Sequence, residues 1–383
     1  MPSLGGGGAE RAMLNLAGGL LDAGFRVDLL LANATGPYLP QVAAQVRIID
    51  LARGRVLTCL PGLVRYLRAH RPQVFLSTPF RANIVVLLAR MLARSPVRVF
   101  VREAATLSET LRTLPPWGAW KAVTLARLIY PRADGIIAVS AGVASDLQAL
   151  LRLNPRLLKV INNPVVTRDL LAMADAALEH PWFHSGALPV ILGVGRLAPQ
   201  KDFDTLIKSF ALVRRQLECR LMILGEGPER QALQQLVAEL GLGEAVALPG
   251  FVPNPFPYMR QARLLVLSSR HEGLPNVLIQ AMALGTAVIA TDCPSGPAEI
   301  LDQGNFGPLV AIGDTDAMAA AMVSLLTCPP SAASKMRLME RAANYHVDRI
   351  LQDYLRFFFP PAWTSSHPIL ETAKPHPCWD GKT

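Results

Sequence analysis

Three short segments carry residue types and spacings suited to handling phosphate esters. In GVGRLAPQKDF, residues 193–203, a strand-length apolar run ends at glycine, and two cations, Arg196 and Lys201, follow five residues apart. A loop that leaves the carboxyl edge of a parallel strand is where α/β proteins bind ligands. Two cations there can stabilise a diphosphate leaving group. In PSLGGGGAER, residues 2–11, Gly6, Gly7 and Gly8 stand just ahead of a helical pattern. Their backbone amides can approach phosphate where the helix dipole favours negative charge. An ordinary flexible turn is the other reading, since too few residues precede the glycines to make the strand of a dinucleotide fingerprint. In SSRHEGLPNVLIQAMALG, residues 268–285, Glu272 ends a strand run, and Gly273, Leu274, Pro275, Asn276 and Val277 read as a helix N-terminus. The free amides of that turn suit phosphate oxygens. A carboxylate beside an anion site must address something other than phosphate, such as sugar hydroxyls, or else serve the helix dipole as a cap.

Other polar pieces read more simply. Asp202-Phe203-Asp204 and Asp314-Thr315-Asp316 have the form of metal-binding DxD motifs, but each stands immediately before an apolar helical run, where aspartate is favoured as an N-cap. His271 has no second His or Cys at metal spacing, so no metal site and no cofactor is expected. LGEGPER, residues 224–230, reads either as a tight βα turn or as a loop close to a nucleotide.

The elements that must position these residues are visible as periodicities. Strand-length runs at residues 26–32, 46–51, 73–77, 97–101, 134–139 and 158–161 alternate with helical segments. A second series follows at 189–195, 220–225, 245–250, 263–268 and 287–291. This alternation is the βα pattern of parallel sheets and implies an α/β fold of two Rossmann-like halves. Met13, Leu16, Ala17, Leu20 and Leu21 stripe a helix after the glycine run, and Leu206, Phe210, Val213 and Leu217 stripe another after GRLAPQKDF. The expected divisions are an N-terminal domain over 1–165, a connection over 166–187, a C-terminal domain over 188–344, and a final helix over 345–359. A Pro-rich, aperiodic tail over 360–383 is expected to be disordered.

Composition narrows the function classes. The 383 residues are 51% hydrophobic and 17% charged, which excludes collagen-like, coiled-coil and largely disordered proteins. Five scattered cysteines without a CxxC pair suit a reducing cytoplasm, and no secretory leader or membrane span is expected. The net charge of +9 is uneven: residues 1–165 hold 20 Lys and Arg against 8 Asp and Glu, and ten arginines and no acid lie between Asp50 and Glu103. That field can attract nucleic acid, an anionic membrane surface or a phosphorylated acceptor; ordinary solvated arginines are the other reading. No nucleic-acid-binding module accompanies it, and no nucleic-acid partner is expected.

Taken in order, GGGGAER, AVSAGV (138–143), NNPV (162–165), GRLAPQK, LGEGPER, LPGF and EGLPNVLIQAMALG resemble the motifs of glycosyltransferase family 4, over residues 2 to about 359. These are retaining, nucleotide-sugar-dependent enzymes of the GT-B fold, in which two Rossmann-like domains face a cleft. The resemblance implies that the C-terminal half holds the donor and the N-terminal half the acceptor, and that the final helix returns to the first domain. It assigns Arg196 and Lys201 to the donor diphosphate, Glu272 to the donor sugar as the first Glu of an E-x7-E motif, and Gly6, Gly7 and Gly8 to the phosphates across the cleft. Gly273, Leu274, Asn276 and Val277 fall beside the same donor, and Gly250 and Phe251 where the base is bounded. The chain departs from the pattern at three places. Gln280 stands where the second Glu belongs, and still offers hydrogen bonds to a ribose. Arg102-Glu103-Ala104 stands where many relatives carry an acceptor-side His, so no catalytic His is assigned. A central first strand has no counterpart ahead of the glycines.

The expected activity is transfer of a hexose or N-acetylhexosamine from a nucleoside diphosphate sugar, with UDP as the expected carrier, to a glycan or polyprenyl-linked acceptor. The expected place is the cytoplasm, peripheral on the inner face of the membrane. A non-catalytic nucleotide-sugar binder and a nucleotide-sugar epimerase are the alternatives; an epimerase would need no acceptor.

Overall fold

The computed structural model describes residues 1–360, so the expected disorder of the tail concerns residues that lie, all but Pro360, outside those described. Six strands lie in the N-terminal half: β1 (Asp28–Leu31), β2 (Arg47–Asp50), β3 (Val74–Ser77), β4 (Arg98–Glu103), β5 (Gly135–Ala138) and β6 (Leu158–Val160). Six lie in the C-terminal half: β7 (Val190–Val194), β8 (Arg220–Leu224), β9 (Val246–Gly250), β10 (Leu264–Leu267), β11 (Ala287–Thr291) and β12 (Leu309–Val310). All pairings between them are parallel. The C-terminal sheet runs β12-β11-β10-β7-β8-β9, reversing direction beside β7, which is the topological switch of a doubly wound fold. The N-terminal half holds β3-β4-β5-β6 and a separate β1-β2 pair, with residues 1–4 running beside β1 (Ala32 N–H to Met1 O, 2.9 Å; Leu4 N–H to Thr35 O, 2.9 Å). Most strands are apolar without alternation because helices cover both faces. β12 was not expected, since two paired residues in NFGPLVAIG make no strand-length run.

Helix ends follow their local chemistry, with one correction. Asp314 accepts from the Ala317 amide at 2.9 Å and caps its helix as expected. Asp202 occupies the equivalent place before the helix Phe203–Arg214, but in a left-handed conformation (φ 50°) and without capping an amide. Its buried carboxylate instead accepts from the Thr205 hydroxyl (2.9 Å) and from Arg270 (3.0 Å), which ties the loop after β7 to the loop after β10.

The chain crosses between the halves twice, and the crossings are stitched together. The amides of Val165 and Val166 both donate to Tyr345 O (3.0 and 3.1 Å), and Val347 N–H donates to Val166 O (2.9 Å). The final helix, Val347–Phe358, then packs Ile350, Leu351, Tyr354, Leu355 and Phe358 onto Leu16, Phe100 and Ile137 of the N-terminal half.

At the carboxyl end of β4 the core is polar. Arg102 is fully buried, and Glu103 accepts hydrogen bonds from Asn83 (2.8 Å) and from the Tyr130 hydroxyl. Burial pushes the Glu103 carboxyl up to about 7, against the pull of Tyr130, Asn83 and Arg102. The folded protein therefore holds a proton that the unfolded chain releases above about pH 4.5. Stability should fall as pH rises from about 4.5 to about 7, then level off, by on the order of 3 kcal/mol. Thermal unfolding of wild type and Glu103→Gln across this window checks it, since the variant should lose most of that slope; parallel curves would refute the assignment.

Candidate active site

The loops after β7 and β10 meet at one ion pair. The Lys201 ammonium lies 2.5 Å from Glu272 Oε1, with the two side chains 17% and 8% exposed. Ser269 donates to the same oxygen at 2.6 Å, and Ser268 fixes the Lys201 backbone by donating to its carbonyl at 2.7 Å. Glu272 is thus no helix cap: its carboxylate is held by a cation and a hydroxyl on one oxygen, and its second oxygen has no hydrogen-bond partner among the described residues. An ion pair this little exposed is costly to desolvate unless further hydrogen bonds support it. The Lys201 ammonium retains donors for a second anion. Under this loop, Gly225 (φ 151°) passes so close that a Cβ there would lie 1.8 Å from Gly195 O, so LGEGPER serves as the tight turn that lets β8 support the β7 loop.

Two helix N-termini from opposite halves face each other across this pair. The helix Gly8–Asp22 begins at the last glycine of the run, and the helix Asn276–Ala283 begins after Pro275; neither has a side-chain cap. Asn276 donates to Gly8 O at 2.8 Å, which brings the two starts together. The amides of Gly6, Gly7, Gly273 and Leu274 have no hydrogen-bond partner among the described residues. First-turn amides of Gly8, Ala9, Asn276 and Val277 lack intrahelical acceptors by helix geometry. Together they make a concentration of free donors in which an anion is favoured.

The seam extends on both sides of that contact. A Cβ on Gly273 would lie 2.0 Å from Ala104 O, so the loop after β10 touches the carboxyl end of β4. Gly6 (φ 90°) lies against the Phe251 ring, which also faces Tyr38 at 6.1 Å, while Gly250 O accepts from Gly225 N–H at 2.8 Å. Farther along, Ser140 and Ser295 hydroxyls are 2.6 Å apart, and Glu299 accepts from the Ala141 amide at 2.8 Å and from Asn162 at 3.2 Å. Glu299 therefore caps, from one half, the helix Ala141–Leu151 of the other.

Not every expected residue joins the cluster. Arg196 is exposed and its side chain makes no hydrogen bond or ion pair among the described residues, whereas Lys201 is engaged, so the two cations are not equivalent in this structure. Gln280 is 7% exposed, and its amide has no hydrogen-bond partner among the described residues, which leaves it available to a polar ligand group. Two members went unassigned in the sequence. Asn163, of NNPV, donates to Asn276 Oδ1 at 2.7 Å and accepts from buried Arg102. The motif was visible, but its partner lies 113 residues away. No group of three or more His, Cys, Asp or Glu among the described residues is placed to hold a metal ion.

Comparison with known proteins identifies the family and the fold. Residues 6–169 match the family described as Glycosyltransferase Family 4, and residues 188–328 match Glycosyl transferases group 1. The N-acetylgalactosamine-N,N'-diacetylbacillosaminyl-diphospho-undecaprenol 4-alpha-N-acetylgalactosaminyltransferase of Campylobacter jejuni is 30% identical, over 93% of this chain and 97% of that protein. The lipopolysaccharide core biosynthesis glycosyltransferase LpsE of Rhizobium meliloti is 28% identical, over 84% and 86%. Among solved structures, sucrose-phosphate synthase of Thermosynechococcus elongatus superposes with a TM-score of 0.77 at 22% identity, covering 92% of this chain and 93% of that one. Anabaena HepE in complex with UDP-glucose gives 0.74 at 20% identity, covering 92% and 96%. The chain belongs to the family 4 glycosyltransferases, with the GT-B fold of two Rossmann-like domains.

The close apposition at Gly273 makes a specific prediction. In Gly273→Ala the new methyl meets a carbonyl, so the halves should be held apart. Small-angle scattering should report a larger radius of gyration at unchanged circular dichroism. Asn276→Ala, which removes two cross-cleft hydrogen bonds, should act in the same direction by about 1–3 kcal/mol. Scattering profiles identical to wild type for both would refute the seam.

Proposed function

We propose that this glycosyltransferase moves a hexose or N-acetylhexosamine from a UDP-sugar, with retention of configuration, to a lipid-linked glycan acceptor in glycolipid or polysaccharide assembly. The observation that carries the reading is the Lys201–Glu272 pair set beside two opposed, uncapped helix N-termini. A nucleoside diphosphate sugar has the matching chemistry: phosphates for the free amides and the lysine, sugar hydroxyls for the carboxylate, and ribose hydroxyls for Gln280. The HepE structures hold UDP and UDP-glucose, and the Campylobacter relative is named for a diphospho-undecaprenol acceptor; both support the same assignment.

In this reading the bond from the anomeric carbon to the β-phosphate oxygen breaks, and its electron pair leaves with UDP. The acceptor oxygen forms its bond to that carbon on the same face, and its proton passes to the departing phosphate. Lys201, Arg196 and the amides near Gly7 and Leu274 stabilise the charge that develops on the leaving group. Glu272 positions the sugar, because orientation is the remaining demand on the protein.

Calorimetric titration with UDP, and with GDP as control, tests the donor site. Wild type should bind UDP in preference to GDP, and Lys201→Ala should bind it ~10- to 100-fold more weakly. Lys201→Arg should recover part of the loss, which separates lost charge from a disturbed Glu272. Transfer from UDP-sugars to a polyprenyl-diphosphate-linked acceptor, followed by NMR of the new anomeric centre, tests the reaction. Inverted product would overturn retention, and UDP binding without transfer across acceptors would favour the non-catalytic binder.

A further inference from the structure

The helix Pro116–Ile129 is apolar on both faces. Its inner stripe, Ala119, Ala122, Val123, Ala126 and Ile129, packs on the N-terminal core. Its outer stripe, Trp117, Trp120, Lys121, Thr124, Leu125 and Leu128, follows helical spacing and faces outward, with Trp117 65%, Trp120 67% and Leu128 61% exposed. Two tryptophans this exposed on one helix are unusual, because most of their surface is favoured out of water. The patch continues past the helix end. Arg132 donates to Leu128 O, and Arg90 donates to Arg132 O at 3.0 Å, which brings exposed Met91 and Leu92 alongside.

The charge carried by the segment itself is of one sign. Residues 110–133 contain Arg112, Lys121, Arg127 and Arg132 and no acid. The acids bordering the segment are committed: Glu109 to Arg112, Asp134 to Arg90 and the Val99 amide, and Asp146, from the neighbouring helix, to the amides of Leu107 and Ser108. Lys121 sits 5.0 Å over the Trp117 ring, so the aromatic and the cation reach outward together.

We infer that this outer face of the helix Pro116–Ile129 docks the enzyme in the interface of an anionic bilayer. Tryptophan rings settle at headgroup depth, leucines enter the acyl boundary, and flanking cations meet anionic lipid. A second copy of the chain fits less well, because isologous pairing would set like-charged faces against each other. The helix belongs to the insertion between β4 and β5, which begins at the Ala104 carbonyl touching Gly273, so the docking face and the cleft share one stretch of chain. The inference deepens the lipid-linked acceptor reading and rests on that reading for its purpose, while its observations stand apart from the donor site.

Cosedimentation of the full chain with vesicles of phosphatidylcholine alone, or mixed with phosphatidylglycerol, tests it. Binding should require phosphatidylglycerol and weaken with salt. Trp117→Ser with Trp120→Ser should lower binding at least ~10-fold, and Lys121→Glu with Arg127→Glu by a similar ~10-fold factor. Both variants should keep wild-type UDP titrations and transfer to a detergent-soluble acceptor, so a failed donor site would be seen separately. Equal binding to both vesicle types, no binding to either, or a dimer that the tryptophan variant abolishes would each overturn the inference.

Discussion

A guanidinium with no access to water must have its charge answered by hydrogen bonds, and much of this molecule is arranged around that demand at Arg102. Asn163 accepts from it, donates to Asn276, and Asn276 donates in turn to the carbonyl of Gly8. The chain of polar groups begins inside the N-terminal sheet, crosses the cleft, and returns to the first helix of the half it left. Because each amide is both donor and acceptor, turning one away leaves its neighbours unsatisfied in a place where that is expensive. The arrangement of the two halves is thus coupled to the position of the helix Asn276–Ala283.

The ion pair of Lys201 and Glu272 works on a shorter scale. Glu272 sits among groups that attract anions, and pairing with Lys201 keeps a carboxylate there without repelling phosphate as strongly as a bare one would. Lys201 in turn is held in the site by the carboxylate, and its remaining donors stay free. Two side chains of opposite charge, both little exposed, are therefore each other's support.

Much of this was legible in the sequence because βα units put their chemistry at predictable places. A strand run ending in glycine and followed by cations identifies a loop at the sheet edge, and so Lys201 and Glu272 stood out before any coordinates. Arg102 and Asn163 did not, because what makes them matter is burial and pairing over 61 residues of chain, which no local pattern records. Asp202 looked like a cap because its surroundings in sequence are those of one; its left-handed backbone turns the carboxylate toward Arg270 instead. The helix Pro116–Ile129 is illegible for a related reason: with large apolar residues on both faces, periodicity alone does not reveal which face the core takes and which it leaves outside.

The stitched crossings at Val165–Val166 and Tyr345–Val347 have a mechanical consequence. Two connections hydrogen-bonded side by side resist sliding and twisting far better than a single strand, yet bend readily across their width. They behave as a leaf hinge. Any relative motion of the two halves is thereby steered toward one swing about this line, which would keep the opposed helix ends in one register.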